Sequence, residues 1–363
     1  MTLDDRRIVL FEDVKERSDR FKTGFEAATE GSDLQIEEFD PDTLIEAPDV
    51  LEPLKEEIQD PTYPLLVVLD QNLRGYYEHD VRRQDVRQMC SDENIPLCIY
   101  HRERKDEDEA KRRIEEYEED VIKFDPSKDI EWLASETANV ARGFREIRDA
   151  YLELKESEST SPIPEILRAD ETVRSQMDQY AWGNPRTIVG ADPDATEDEF
   201  DRRFITLLGY WIYNELLKFP GALLNPIATA AYLNVDHQTF IEDEQYHEPL
   251  TDALYQGPFS GAGKWWWKPK IDQIRANNLT PEDDGLPDGS EFFERFGCDE
   301  ISQSTCQDRE KGGDHEARFY GVMMEEPVCE AHSKNPGGWL PMGASRSRVS
   351  VAKHAEYKPW MMK

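Results

Sequence analysis

The stretch YPLLVVLDQNLRG, Tyr63 to Gly75, decides the fold of the first half of the chain. Its apolar run from Leu65 to Leu69, preceded by a proline and followed by an acid, predicts a short strand buried on both faces. Asp70 lies at the end of that strand, where open α/β sheets place their ligand crevice. The position predicts a functional carboxylate; the alternative is an Asp that only caps a turn.

Similar apolar runs recur on either side of this stretch. Arg7 to Phe11 (RIVLF) predicts a first strand, and it too ends in acids, Glu12 and Asp13. Helical patterns separate the strands, among them Val81 to Met89 and the charged segment Asp106 to Glu118. This alternation predicts an α/β domain with a five-stranded parallel sheet of the flavodoxin-like type. The other predicted strands are DLQIEEF at 33–39, IPLCIY at 95–100 and DVIKF at 120–124.

The order of these landmarks resembles the receiver domain of two-component response regulators. FED at 11–13 matches the acidic pair of that family, and LDQNLRG at 69–75 matches its phosphoacceptor strand and loop. IPLCIYH matches the fourth strand, and Lys123 lies in the fifth. The intervals from Asp70 to His101 and on to Lys123 are close to those of the family. The longer interval from Asp13 to Asp70 predicts an insertion between Phe39 and Tyr63.

The resemblance implies a phosphorelay site. Glu12, Asp13, Asp70 and the carbonyl of Asn72 would hold Mg²⁺, a hard cation that prefers oxygen ligands. Asp70 would accept a phosphoryl group from a phosphodonor or a partner histidine kinase, with Lys123 as the second cation.

Other positions depart from the family pattern. His101 stands at the Ser/Thr position, Phe124 at the usual proline and Asp120 at the aromatic switch position. These departures predict an atypical receiver, whose only enzymatic activity would be Mg²⁺-dependent autophosphorylation of Asp70.

A long helix is predicted after the fifth strand. Its apolar residues recur at steps of four and three between Leu133 and Leu154, which fits either a homodimeric helix pair or packing on the sheet. The polar, proline-punctuated segment 153–175 predicts a linker between a receiver-like domain at 1–152 and a C-terminal domain at 176–363.

The second half predicts an α-rich or α+β interaction domain. Phe200 to Ile212 form an amphipathic helix that should begin a second core. Residues 223–242 resemble a helix-turn-helix, with Asn234 in a left-handed turn and Asp236 as the next N-cap. Its second helix carries acids and no Lys or Arg, so a structural or protein-binding role is favoured over DNA reading.

The tryptophans of KWWWKPK, 264–270, predict core packing, with stacking on a nucleotide or partner as the alternative.

The last part of the chain, 296–363, carries a predicted zinc module. Cys298, Cys306, Cys329 and His332 supply four nitrogen and sulfur ligands, the number that closes a structural tetrahedral site. His315 competes for a place in this set. The alternative is ordinary buried cysteines with a surface histidine.

Composition limits the partners. The 363-residue chain has 78 acidic against 43 basic residues, a formal net charge of -35. This charge disfavours nucleic acid as a partner and is typical of adaptation to high salt. No apolar run approaches a membrane span, and the N-terminal residues lack a signal core, so a cytoplasmic location is expected. The sequence therefore predicts a regulatory protein that binds other proteins; the alternative is a transcription regulator reading DNA through 223–242.

Overall fold

The fold is that of a computed structural model. It describes residues 6–44, 50–59, 62–73, 76, 81–100, 120–157, 162–177, 195–280, 285, 287–306, 315–337, 339–341 and 343–361. The predictions for His101 and for a helix at Asp106 to Glu118 fall outside the described residues. The chain divides into two compact units. Of the described residues, the first unit holds those up to 166 together with 195–211, and the second holds 167–177 and those from 212 onward.

A five-stranded, all-parallel sheet forms the centre of the first unit, as the sequence predicts. The strand order is β2-β1-β3-β4-β5. In this order the chain reverses direction across the sheet between β1 and β3, which is where doubly wound sheets bind ligands. The strands are β1 (Arg7–Phe11), β2 (Gln35–Glu38), β3 (Leu66–Asp70), β4 (Leu97–Tyr100) and β5 (Ile122–Lys123).

Helices cover both faces of this sheet. Alternate strand residues such as Val9, Val67 and Ile99 pack with residues of α2 and α3 in one core cluster. The opposite face receives α1 and α4, which are held to each other by an ion pair of 2.8 Å between Arg20 and Glu131. The helices of the first unit are α1 (Lys15–Ala28), α2 (Leu51–Gln59), α3 (Arg83–Asp92), α4 (Ile130–Glu156), α5 (Pro162–Ile166) and α7 (Glu197–Tyr210).

Helix α7 belongs to the first unit, which corrects the expectation that this amphipathic helix begins a second core. The Tyr210 hydroxyl accepts a 2.7 Å hydrogen bond from the backbone N–H of Leu97 at the start of β4. Along α4, Tyr151 packs against Phe204 of α7 in a tilted arrangement, with 4.5 Å between ring centroids. An amphipathic stripe shows that a helix is packed but not which surface it packs on, so the sequence left this choice open.

The apolar stripe of α4 is therefore accounted for within the unit. Leu133, Val140, Phe144 and Ile147 are buried, and Phe144 packs edge-on against Tyr210. The homodimer predicted through 133–154 stays a prediction, because the structure contains one chain. Packing within the first unit is by itself sufficient to explain the spacing of the apolar residues along α4.

The predicted linker at 153–175 is largely helical. Helix α4 runs to Glu156, and two short helices follow, α5 and α6 (Glu171–Met177). Pro162 stands at the first position of α5, where its missing N–H costs no helical hydrogen bond. Ile163 and Val173 are buried, so hydrophobic packing orders a segment whose composition predicts a linker.

The second unit is rich in helices and has two small sheets. Trp266 and Trp267 are buried in its core, which confirms the packing interpretation of the tryptophan cluster. No helix in the described part of the chain is long and apolar enough to cross a membrane.

The remaining helices are α8 (Pro226–Leu233), α9 (His237–Glu242), α10 (Lys268–Asn277), α11 (Gly289–Arg295) and α12 (Val351–Met361). Short 3₁₀ helices lie at Pro41–Thr43, Glu244–Tyr246, Glu248–Ala253 and Ser260–Ala262, and a π-helix at Trp211–Leu216. The two sheets are β6 (Leu223–Leu224) with β7 (Trp266–Trp267), and β10 (Ser333–Lys334), β11 (Ser347–Ser350), β8 (Phe319–Gly321) and β9 (Glu326–Val328), in that spatial order.

Candidate functional site

Three carboxylates meet at the carboxyl edge of the parallel sheet. Glu12 and Asp13 follow β1, and Asp70 is the last residue of the adjacent strand β3. One carboxylate oxygen of each residue lies within 4.8 Å of the others. Glu12 and Asp70 are almost fully buried, and Asp13 is half-buried. The register, which pairs Phe11 with Leu69, accounts for this convergence of residues far apart in sequence.

Glu12 is held by three partners. Its Oε2 accepts a 2.8 Å hydrogen bond from the Tyr100 hydroxyl at the end of β4. The Nε of Arg17, on α1, lies 3.1 Å from the same oxygen and forms an ion pair with it. The other oxygen accepts the backbone N–H of Val14 at 3.0 Å. These contacts stabilise a carboxylate that burial alone would disfavour.

Tyr100 is a site residue that sequence reasoning missed. The resemblance assigned the Ser/Thr position to His101, which lies outside the described residues. In the parallel register, however, Tyr100 is the residue of β4 that pairs with Asp70. Paired residues of neighbouring strands point to the same face, so a hydroxyl does stand beside the acids. Its ring stacks on Phe21 of α1, with 5.8 Å between centroids.

The surroundings of Tyr100 keep its hydroxyl protonated. Burial, followed by the nearby carboxylates of Glu12 and Asp70, raises the pKa of Tyr100 well above its ordinary value. A protonated phenol donates its hydrogen to Glu12 over the physiological pH range. Tyr100 is therefore a fixed hydrogen-bond donor in this site.

Of the other predicted site residues, Asn72 and Lys123 lie at the same edge of the sheet. The Oδ1 of Asp70 accepts the backbone N–H of Asn72 at 3.0 Å, which fixes the carboxylate in an Asx turn. Lys123 lies in β5, two strands from β3, and its side chain is half-buried. Phe124 is buried and contacts Trp132 of α4 edge-on.

A separate cavity of about 540 Å³ lies at the opposite end of the sheet. Its lining comes from α3, the start of β4 and α7, and includes Arg87, Leu97 and Arg203. Leu97 is the first residue of β4, so this cavity is distant from the carboxyl edge that holds the acids.

The helix-turn-helix pattern of the second unit has the predicted local geometry. Asn234 ends α8 in the left-handed conformation, with φ 60° and ψ 44°. Asp236 caps α9 by accepting the backbone N–H of Thr239 at 2.8 Å. The second helix is short, and its exposed residues include Ile241 and Glu242. Such a surface offers no cation to a phosphate backbone.

Three of the predicted zinc ligands come together in the second unit, and the fourth does not. Cys306, Cys329 and His332 are buried, and their ligand atoms lie within 4.8 Å of one another. Cys298 lies apart from them, with its thiol 3.4 Å from the carbonyl oxygen of Gln245.

Comparison of the chain with protein-family models, curated proteins and solved structures gives no match.

Proposed function

We propose that this protein is a signalling or regulatory protein whose first unit is an atypical receiver domain and whose second unit binds other proteins. The proposal rests on one observation, the convergence of Glu12, Asp13 and Asp70 at the switch point of a β2-β1-β3-β4-β5 sheet. A doubly wound sheet binds its ligand at this point. Three carboxylates there favour a hard divalent cation such as Mg²⁺.

The donor set fits Mg²⁺. Carboxylate oxygens of Glu12, Asp13 and Asp70 would hold the ion together with water. When bound, the cation would neutralise negative charge at Asp70 and at any phosphoryl group near it.

The same pocket argues against ready phosphorylation. Asp70 is fully buried, and its oxygen is engaged by the backbone of Asn72. The neighbouring hydroxyl, that of Tyr100, is committed to Glu12. We infer a receiver-like unit that responds to a bound cation or to a partner protein more readily than to a phosphodonor.

The cation part of the proposal is tested by titrating the purified chain with Mg²⁺ in a calorimeter. We expect binding in the wild type and at least tenfold weaker binding in Asp70→Asn, because a charged ligand becomes neutral (about 1.4 kcal/mol per tenfold). Asp149→Asn, at a mostly exposed position on α4, is the matched control and should bind as the wild type does. Equal affinity in all three proteins would overturn the assignment of the site.

The phosphorylation part is tested by incubation with acetyl phosphate and Mg²⁺ followed by intact mass spectrometry. We expect no adduct on the wild type. A phosphoryl adduct that disappears in Asp70→Asn would instead identify a phosphorylated receiver.

The second unit is proposed to bind protein rather than DNA because the exposed side of α9 carries Ile241 and Glu242 and no cation. Fluorescence anisotropy with labelled genomic fragments at high salt should show no saturable binding. Sequence-specific binding would favour the transcription regulator instead.

A further inference from the structure

The cluster of Cys306, Cys329 and His332 has the dimensions of a metal site. The Nδ1 of His332 lies 3.7 Å from the Sγ of Cys306 and 3.3 Å from the Sγ of Cys329. With Zn–S near 2.3 Å and Zn–N near 2.0–2.1 Å, a tetrahedral ion separates sulfur and nitrogen ligands by about 3.5 Å. The two observed distances lie on either side of this value. Both cysteines are free thiols, so no disulfide accounts for their proximity.

The backbone around the cluster already has the features of a ligand loop. Cys329 directly follows β9 and His332 directly precedes β10, so the two ligands lie on one tight connection. The backbone N–H of Cys329 donates to the Sγ of Cys306 at 3.4 Å. Hydrogen bonds of this kind orient and stabilise thiolate ligands.

The apolar group around the cluster is small in the part of the chain that the structure describes. There it consists of Cys306, Ala317 and Cys329. A group of two thiols and one methyl side chain buries little apolar surface, and small modules of this kind commonly depend on a metal. A metal would bind the segment at Cys306 to the sheet β8–β11.

The fourth ligand is better supplied by His315 than by Cys298. The backbone carbonyl of His315 accepts the N–H of Cys306 at 3.1 Å, which places His315 beside a member of the cluster. Its ring centroid lies 5.2 Å from that of His332. Two imidazoles on one tetrahedral zinc have centroids about 5 Å apart, given the Zn–N distance. His315 is exposed, so its ring can rotate to complete the set without disturbing the core.

We propose that Cys306, Cys329, His332 and His315 hold a structural zinc ion in the second unit. The ion takes four protein ligands, which leaves no open position for water activation. This proposal is independent of the function proposed for the first unit, since none of its residues belongs to that unit.

The first test is the metal content of the full chain after expression with added zinc, measured by inductively coupled plasma mass spectrometry. We expect one zinc per chain. A content near zero, with no tetrahedral d–d absorption after Co²⁺ is added, overturns the proposal.

The ligand assignment is tested with two variants in a chelator competition. His315→Ala should weaken zinc binding at least about tenfold, since loss of even an outer-shell partner has an effect of that size. Cys298→Ser, the matched control, should bind zinc as the wild type does. Both positions are at least partly exposed, so circular dichroism should show a folded chain in each case. Weakened binding in Cys298→Ser with no change in His315→Ala would overturn the choice of His315.

Discussion

Replacement of Tyr100 by Phe tests the central feature of the acidic site, the hydrogen bond between the phenol and Glu12. The change removes one hydroxyl and keeps the ring that stacks on Phe21. A hydrogen bond to a charged group contributes about 1.5–3 kcal/mol, so the first unit should lose stability in that range. Glu12 keeps its contacts with Arg17 and Val14, so the unit should remain folded.

The same substitution should strengthen the binding of Mg²⁺. In the wild type, the Oε2 atom of Glu12 is shared with the Tyr100 hydroxyl, and an incoming cation competes with that donor. Removal of the competitor should tighten Mg²⁺ binding by up to about tenfold, which corresponds to about 1.4 kcal/mol. Lower stability combined with higher Mg²⁺ affinity distinguishes this mechanism from general damage to the fold, which would lower both.

The measurements are hydrogen exchange of peptides from β1 and β4, which isolates the first unit, and calorimetric titration with Mg²⁺. Tyr63→Phe is the matched control. The Tyr63 hydroxyl also donates a hydrogen bond to a carboxylate of the first unit, that of Glu93, at 3.1 Å. Glu93 does not belong to the group of Glu12, Asp13 and Asp70. The control should not change Mg²⁺ affinity. Unchanged protection of β1 in Tyr100→Phe, or weaker Mg²⁺ binding, would refute the reasoning.

Further predictions address the packing of α7 and the second unit. Gly209→Ala should destabilise the first unit by about 1–3 kcal/mol in urea unfolding, because the added Cβ would lie 2.1 Å from a ring atom of Phe144. Asn234→Ala should cost the second unit about 1–2 kcal/mol, and Asn234→Gly less, because Asn234 has φ 60°. Burial, followed by the charge of Lys264, lowers the pKa of His247, so the unfolded chain binds the proton more tightly. The stability of the second unit should therefore fall as the pH drops below about 6.5. In Lys264→Met, an NMR titration should show a higher pKa for His247.

The buried strands β1, β3 and β4 were predictable because each is a local apolar run with a clear end. The prediction for Arg7 to Phe11 coincides with β1, and the strand predicted at 63–70 contains β3. Strand ends in turn predicted the meeting of Glu12, Asp13 and Asp70, since parallel strands bring their carboxyl ends to one edge. The strands depend only on neighbouring residues in the sequence, and the meeting of the carboxylates depends only on the parallel arrangement of the strands.

Features that depend on a choice among tertiary partners were not predictable. The stripe of α7 showed that the helix is packed, but its docking on α4 required the close approach that Gly209 permits at Phe144. The pairing of Tyr100 with Asp70 depends on the register between β3 and β4, which the sequence alone does not specify. Spacing also could not separate Cys298 from His315, because the intervals between ligands do not report how the chain folds between them.

The partners of Glu12 limit what this site can do. A carboxylate already bonded to Tyr100, Arg17 and the backbone of Val14 gives up or shares these contacts when a cation arrives. The net affinity for the proposed Mg²⁺ would therefore be the cation's own interaction less the cost of those displaced contacts, each about 1–3 kcal/mol. A site of this kind would bind weakly and would respond to changes in cation concentration. Weak, reversible binding would suit the proposed regulatory unit better than a site that holds its metal permanently.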